Sequence, residues 1–318
     1  MTETQPLSRF LRGAQIARAA MATAVLFLAG FVLPFGGPLV MTLTPQPALR
    51  LFERAGRNAS LASCAIALVT IGLTGGGGAA GLYLVSFGLL TVLLPTLLER
   101  EWSLELTVGL ATVILALALL TTLSVVDSPS QFIAALRTSF EQVRTDAVAV
   151  YTRAGLSADV IRELEDGTRT LVDLMMRLAP ALLLLGIGSM LLINIDLLRR
   201  SQRAAGAPAV FGDLTRWKCP PELVWLLIAS GYGTFLTDGF PALVAANAFA
   251  VLLAVYFCQG LVIAQFYMRR WHSPFWVNGL VYVCIVVEWL LATVVTLLGV
   301  FDLWADFRRL NPRPAGDD

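Results

Sequence analysis

The stretch "VYVCIVVEWLLATVVTLLGVFD", Val281 to Asp302, is apolar almost throughout, yet one carboxylate, Glu288, stands near its centre. About twenty apolar residues in helical form cross the hydrocarbon core of a bilayer, which is about 30 Å thick. Read as such a span, the stretch carries an acid whose ionised form costs about 2.5–3.5 kcal/mol at mid-membrane. Three things can offset that cost: protonation through desolvation, an arginine partner from another span, or water in a cavity. We expect a neutral, hydrogen-bonded Glu288 facing inward.

The rest of the chain agrees with the membrane reading. Of 318 residues, 57% are hydrophobic and 14% charged, against about 25% charged in ordinary soluble domains. Apolar runs recur at about 20–43, 59–73, 81–98, 106–126, 174–198, 223–236, 242–268 and 275–301. They are too long for barrel strands and lack their alternation. The expected fold is all-α: a polytopic helical membrane protein of about eight transmembrane helices with an amphipathic helical insert. In chain order, residues 1–126 hold transmembrane helices 1–4, residues 127–172 the extramembrane insert, and residues 173–318 transmembrane helices 5–8. No charged n-region and A-x-A cleavage site precede a polar mature chain, so the first run reads as the first span.

In the insert the apolar residues Phe132, Ile133, Leu136, Phe140, Val143, Ala147, Val150 and Tyr151 follow a three-and-four spacing. Ser128 before Pro129 is the expected N-terminus of that helix, Gly155 its end, and Ser157 the cap of a second helix. Such a pair either packs on the protein's own membrane face or offers a docking surface.

Charge sets the orientation. The loop from Arg199 to Lys218 holds five basic residues and the loop at Arg269 two, while "GGGG" (Gly75–Gly78) and "TDGFP" hold none. Both basic loops are therefore placed in the cytoplasm. The insert, with five Arg against seven Asp plus Glu, falls outside. Eight crossings would then leave both termini outside despite Arg9, Arg12, Arg18, Arg308, Arg309 and Arg313. A re-entrant hairpin at "PFGGP" (Pro34–Pro38) would bring the N-terminus back in; one kinked span there would not.

Several function classes lack their parts. There is one histidine, His272, and no C-x-x-C among Cys64, Cys219, Cys258 and Cys284, so zinc sites and Cys-His or Ser-His nucleophile pairs are not expected. No H-E-x-x-H occurs, no enzymatic activity and no cofactor are expected, and no basic stripe suggests nucleic acid. Cys219, alone outside the apolar runs, is the expected accessible thiol. Within the spans, small and weakly polar residues form stripes: Cys284, Glu288, Ala292 and Thr296; Asn247, Ala250, Ala254, Cys258 and Gln265; Ser60, Ser63, Ala67, Thr70 and Thr74. Such stripes are packing surfaces first. As the lining of a shared polar cavity, they make Glu288, Asn247, Gln259 and Gln265 the candidate ligand-binding residues. Arg177 has Asp173 one turn away as a local partner, and Asn194 and Asp196 read as an interfacial cap.

"TPQPALRLFERAG" before the second span, "FGDLTRWKCPPELVWLL", "NAFAVLLAVYFCQGLVIAQFYMRR" and "LLGVFDLWADFRRL" together resemble the YybS-like family of predicted bacterial membrane proteins, a domain of unknown function. The resemblance covers nearly the whole chain. It implies a bacterial inner (plasma) membrane location and carries no activity. The Pro-rich turn after the first span is similar to the fold of S-component-like subunits of vitamin transporters. Two functions follow as expectations. One is transporter-like binding of a small solute in an intramembrane cavity; lacking a nucleotide-binding motif, the chain would need a separate energy-coupling protein partner besides the lipid bilayer. The other is a non-transporting scaffold for an envelope or cell-division assembly, acting through residues 127–172.

Overall fold

A computed structural model gives the architecture and describes residues 4–33, 36–126, 129–155 and 157–309. All regular structure among them is helical. The chain forms two compact units: residues 1–139 with 186–211, and residues 140–185 with 212–318. The division into membrane segments by chain order is thus not the division by packing. Helix α1 (Thr4–Val32) opens the first unit, followed by α2 (Gly37–Met41), α3 (Gln46–Ala55), α4 (Arg57–Tyr83), a π-helical turn (Leu84–Gly88), α5 (Leu89–Leu98) and α6 (Leu104–Val126). Helices α7 (Pro129–Arg153), α8 (Ala158–Arg177) and α9 (Ala179–Ala204) come next. The chain ends in α10 (Leu223–Leu236), α11 (Gly239–Arg270), α12 (Phe275–Val287) and α13 (Trp289–Ala305).

In the first unit, α1 is a continuous helix, and the segment after "PFGGP" returns along it. A Cβ built on Gly30 would lie 3.0 Å from the Cβ of Met41. Farther from the turn, Ala19 packs with Leu51, and Arg12 donates to the Ala55 carbonyl at 3.2 Å. As one residue number falls the other rises, so α2 and α3 form an antiparallel, broken second arm. This is the hairpin alternative, and the kinked span is not formed.

A second hairpin follows. Gly76 has φ 83° and ψ 174° inside the apolar stretch Arg57–Leu98, a backbone state that glycine tolerates and L side chains rarely adopt. The arms meet at Cys64 and Thr91 (3.1 Å) and at Arg57 and Thr96 (2.9 Å). In a straight helix the first pair would be about 40 Å apart. The glycine run is therefore a tight link between the apolar runs at 59–73 and 81–98. Phe27, wholly buried, sits edge-on to Phe31, Tyr83 and Phe87 with centroids 5.3–5.8 Å away, and Ala67, Ile71, Leu90 and Leu94 complete the core. Of the stripe in this span, Ser60, Ser63 and Ala67 are buried as expected of a packing surface. The hydroxyls of Thr70 and Thr74 bond instead to their own helix.

In the second unit, α10 and α11 form an antiparallel hairpin at Asp238. Cβ atoms built on Gly231 and Gly233 would lie 3.2 Å from Phe249 and 3.0 Å from Ala245. Helix α13 crosses α11 where Gly260 meets the Val295 carbonyl and Gly299 the Tyr256 carbonyl, so the two backbones touch. The insert forms the expected two helices. Ser157 is the N-cap residue of α8, though its side chain makes no cap bond. Arg144 of α7 pairs with Glu141 at 2.8 Å and with Glu165 of α8 at 3.5 Å, and the Glu141 bond raises the pKa of this guanidinium. The expected cap at Ser128, the side chains of Arg9, Phe132, Ile133, Leu136, Phe140 and Val143, and Pro34 and Arg313 lie outside the described residues.

Five helical stretches among the described residues are long and apolar enough to cross a membrane, or six if α12 and α13 form one broken span. The expected eight are not reached: Arg57–Leu98 is one helical stretch folded back at Gly76, and α10, with 14 residues, reaches about 21 Å against a core of about 30 Å.

Candidate functional site

Glu288 does not face inward. It is the residue at which the last apolar stretch breaks: φ −92° and ψ 105° end α12 there, and α13 leaves at 101°. Its side chain is exposed, and no ion pair joins it to Arg177 among the described residues. The row Cys284, Glu288, Ala292, Thr296 is consequently not one helical face. No proline or glycine flanks Glu288, so the sequence carried no sign of the break. Exposed and unpaired, Glu288 is expected to tolerate Gln or Leu with changes within about 0.5 kcal/mol. Melting curves in detergent check this, and a large loss in either variant would restore a buried role.

Asn247 accepts from the Ala181 N–H at 2.8 Å and donates to the Arg177 and Leu243 carbonyls at 3.0 and 2.8 Å. Its amide is thus used up in tying the α8–α9 corner to α11. The adjoining groove, about 460 Å³, is otherwise apolar, with Leu184, Leu226, Phe240 and Val251 in its wall. Gln259 is buried, accepts from the Cys219 N–H at 2.9 Å and donates to Asp302 at 3.2 Å. Gln265 is half-buried and stands eighteen positions from Asn247 on α11, about 27 Å along the axis. Glu288, Asn247, Gln259 and Gln265 therefore line no common cavity. On α11 the buried face is Leu252, Tyr256, Gln259, Gly260 and Ile263; the expected stripe of small residues lies beside it.

Gln259 belongs instead to a buried charge cluster. Asp302 and Arg308, both with fully buried side chains, pair at 2.7 Å. Arg308 also donates to the Thr215 and Trp217 carbonyls, each at 2.8 Å, and Asp302 accepts from the Phe307 N–H at 3.0 Å. Lys218 with Asp306 (2.7 Å) and Arg269 with Asp213 (3.1 Å) flank the pair. The basic loop, expected as a topological signal, is thereby clamped to the end of the chain. Cys219 within it is buried, a correction to its expected accessibility. Both Asp302 oxygens take protein donors, which marks the cluster as structural, although the Arg308 Nε is buried without a partner among the described residues.

Buried polar atoms without a partner among the described residues occur in both units, on Trp217, Tyr256, Asn278 and Arg308 in the second and on Tyr83 and five further residues in the first. Asn194 is wholly buried rather than an interfacial cap: its amide donates to the Thr42 and Met190 carbonyls at 2.9 and 2.8 Å, and its Oδ1 accepts from Gln46 at 2.9 Å. Gln46 is placed there by the returning arm. Thr23 stands one turn beyond Ala19 on α1, and Ser63 one turn beyond Ala59 on α4, where Ala19 and Ala59 share a cluster. Thr44 precedes Gln46, and Thr107 lies in the first turn of α6. The hydroxyls of Thr23, Thr44, Ser63 and Thr107 and the Gln46 Oε1 are all buried without a hydrogen-bond partner among the described residues. Each such group in an apolar interior costs about 1–3 kcal/mol. A bundle that needed only to pack would carry Ala or Val there, so the set calls for a purpose.

None of these side chains is charged. Hydroxyls both donate and accept, and the Gln46 oxygen accepts, so each can hydrogen-bond an uncharged polar group but none can neutralise an ion. Sequence reasoning reached one member, Ser63, through its stripe. Thr23 and Thr107 are single Thr residues inside apolar runs, and Thr44 and Gln46 lie in the link after the first run, so nothing in their spacing marks them.

One family model matches residues 21–303, a family described as predicted membrane protein (DUF2232). No curated protein and no solved structure matches the chain.

Proposed function

Because the chain belongs to the DUF2232 family of predicted membrane proteins, we propose a function exercised within the bilayer: transporter-like binding of a small, uncharged polar solute in the first unit. The observation that carries this is the set of unpaired polar atoms on Thr23, Thr44, Gln46, Ser63 and Thr107. The site differs from the one around Glu288 and Asn247. In this reading the protein resides in a bacterial plasma membrane, with the basic end of the first unit in the cytoplasm, and a separate protein supplies the energy.

The test is purification in mild detergent, release of bound molecules by denaturation, and mass spectrometry, on the wild type and on Ser63→Ala and Thr107→Val. The wild type should release a near-stoichiometric neutral solute, and the variants about tenfold less, as expected when one hydrogen bond to a ligand is lost. Their melting temperatures should not fall, since each removes a buried, unpaired hydroxyl. Variants that melt higher, with no solute released by the wild type, would overturn the reading.

A second reading rests on the exposed Leu171, Leu174 and Met175 of α8, the face a scaffold would use to hold an assembly partner. A stoichiometric protein in place of a solute in the same purification supports it.

A further inference from the structure

We propose that a groove at the basic end of the first unit binds the headgroup phosphate of an anionic phospholipid. The groove encloses about 410 Å³, and Arg12 and Arg57 both line it. Each guanidinium is held by a neutral acceptor: Arg12 donates to the Ala55 carbonyl at 3.2 Å and Arg57 to the Thr96 hydroxyl at 2.9 Å. Neither has a carboxylate partner among the described residues. Two cations are thus fixed on one groove with their charge uncompensated, an arrangement that an anion stabilises and that Arg forks suit geometrically. The first turn of α4, which begins at Arg57, adds backbone N–H groups without helical acceptors on the same wall.

The depth of the groove selects the source of the anion. The apolar stretches Arg12–Val32 and Arg57–Leu98 begin at these two arginines, so both side chains stand at the level of lipid headgroups. Ile16 and Ala59, farther along the same two helices, give the groove an apolar inner wall where an acyl chain can lie. A soluble phosphate ester would use only the outer half of such a site.

The experiment uses the full chain in nanodiscs of mixed phosphatidylglycerol and phosphatidylcholine, transferred to mild detergent for native mass spectrometry. Wild-type protein should retain phosphatidylglycerol over phosphatidylcholine by about thirtyfold, the scale of two basic residues at a membrane surface. The combined Arg12→Gln and Arg57→Gln variant should lose that preference, whereas Arg18→Gln, exposed on the same helix, should keep it. Asn58→Asp, an exposed change in the groove wall, places a negative charge there without touching the core, and should abolish the preference even if the double variant does not accumulate. Retention of phosphatidylglycerol by Asn58→Asp, or equal loss in Arg18→Gln, overturns the site. In lipid-free detergent, phosphatidylglycerol should raise the melting temperature and inorganic phosphate should not; an equal shift by phosphate would assign the groove to a free anion instead.

Discussion

Asp302→Ala is expected to destabilise the protein by about 3–5 kcal/mol, because it strands a buried guanidinium. Both side chains of the Asp302–Arg308 pair are fully buried at 2.7 Å, and Asp302 lies in the last turns of α13. There the helix dipole disfavours a carboxylate, so the pair exists only because Arg308 completes it. Asp302→Asn keeps one acceptor oxygen where the carboxylate uses two, Oδ1 for the Phe307 N–H and Oδ2 for Gln259 and Arg308, and loses the charge; it should lose nearly as much. The loss should spread to the loop Asp213–Lys218, since Arg308 holds the Thr215 and Trp217 carbonyls; faster proteolysis in that loop is the local readout. Replacing both members, Asp302→Leu with Arg308→Met, should recover most of the stability, since an apolar pair has no charge to desolvate. Unfolding curves in detergent decide it. A single variant that loses under about 1 kcal/mol, or a double variant no better than the singles, would mean the pair is solvated.

The second large effect concerns the crossing of α11 and α13. A side chain at Gly260 would place its Cβ inside contact distance of the Val295 carbonyl, and one at Gly299 would meet the Tyr256 carbonyl. The obstacle is backbone in both cases, so no rotamer change relieves it. Gly260→Ala should therefore cost at least the 1–3 kcal/mol or so of ordinary overpacking, and Gly260→Leu should prevent the crossing altogether. Gly279 is the control: it is interior to α12 and has open space around its Cβ position. Gly279→Ala should gain about 0.5–1 kcal/mol from helix propensity. Equal tolerance of Ala at 260 and 279 would show that the two helices are not in backbone contact.

The two effects come from features that the sequence shows unequally. Gly260 and Gly299 sit in apolar runs, where small residues announce close helix approach, but not which glycine meets which helix. Asp302 and Arg308 read only as interfacial charges at the end of a span. Glu288, the most conspicuous residue in the sequence, is exposed at a bend, while the inconspicuous Gln46 and Asn194, far apart in the chain, bond at 2.9 Å in the core of the first unit.

By itself the sequence determined the helical membrane class, because in a bilayer long apolar runs can satisfy their backbone only as helices. It determined the turn at the glycine run and the existence of two helices in the insert, both of which depend on local composition. Tertiary structure alone decided that the segment after "PFGGP" doubles back, that the last span breaks at Glu288 and which polar residues share a level. Those outcomes depend on which helix faces which. Lipid is as apolar as the side chains it meets, so hydrophobic pattern gives little guide to a helix's orientation in the bundle; close backbone contacts such as those at Gly260 and Gly299, and a few buried hydrogen bonds, settle it.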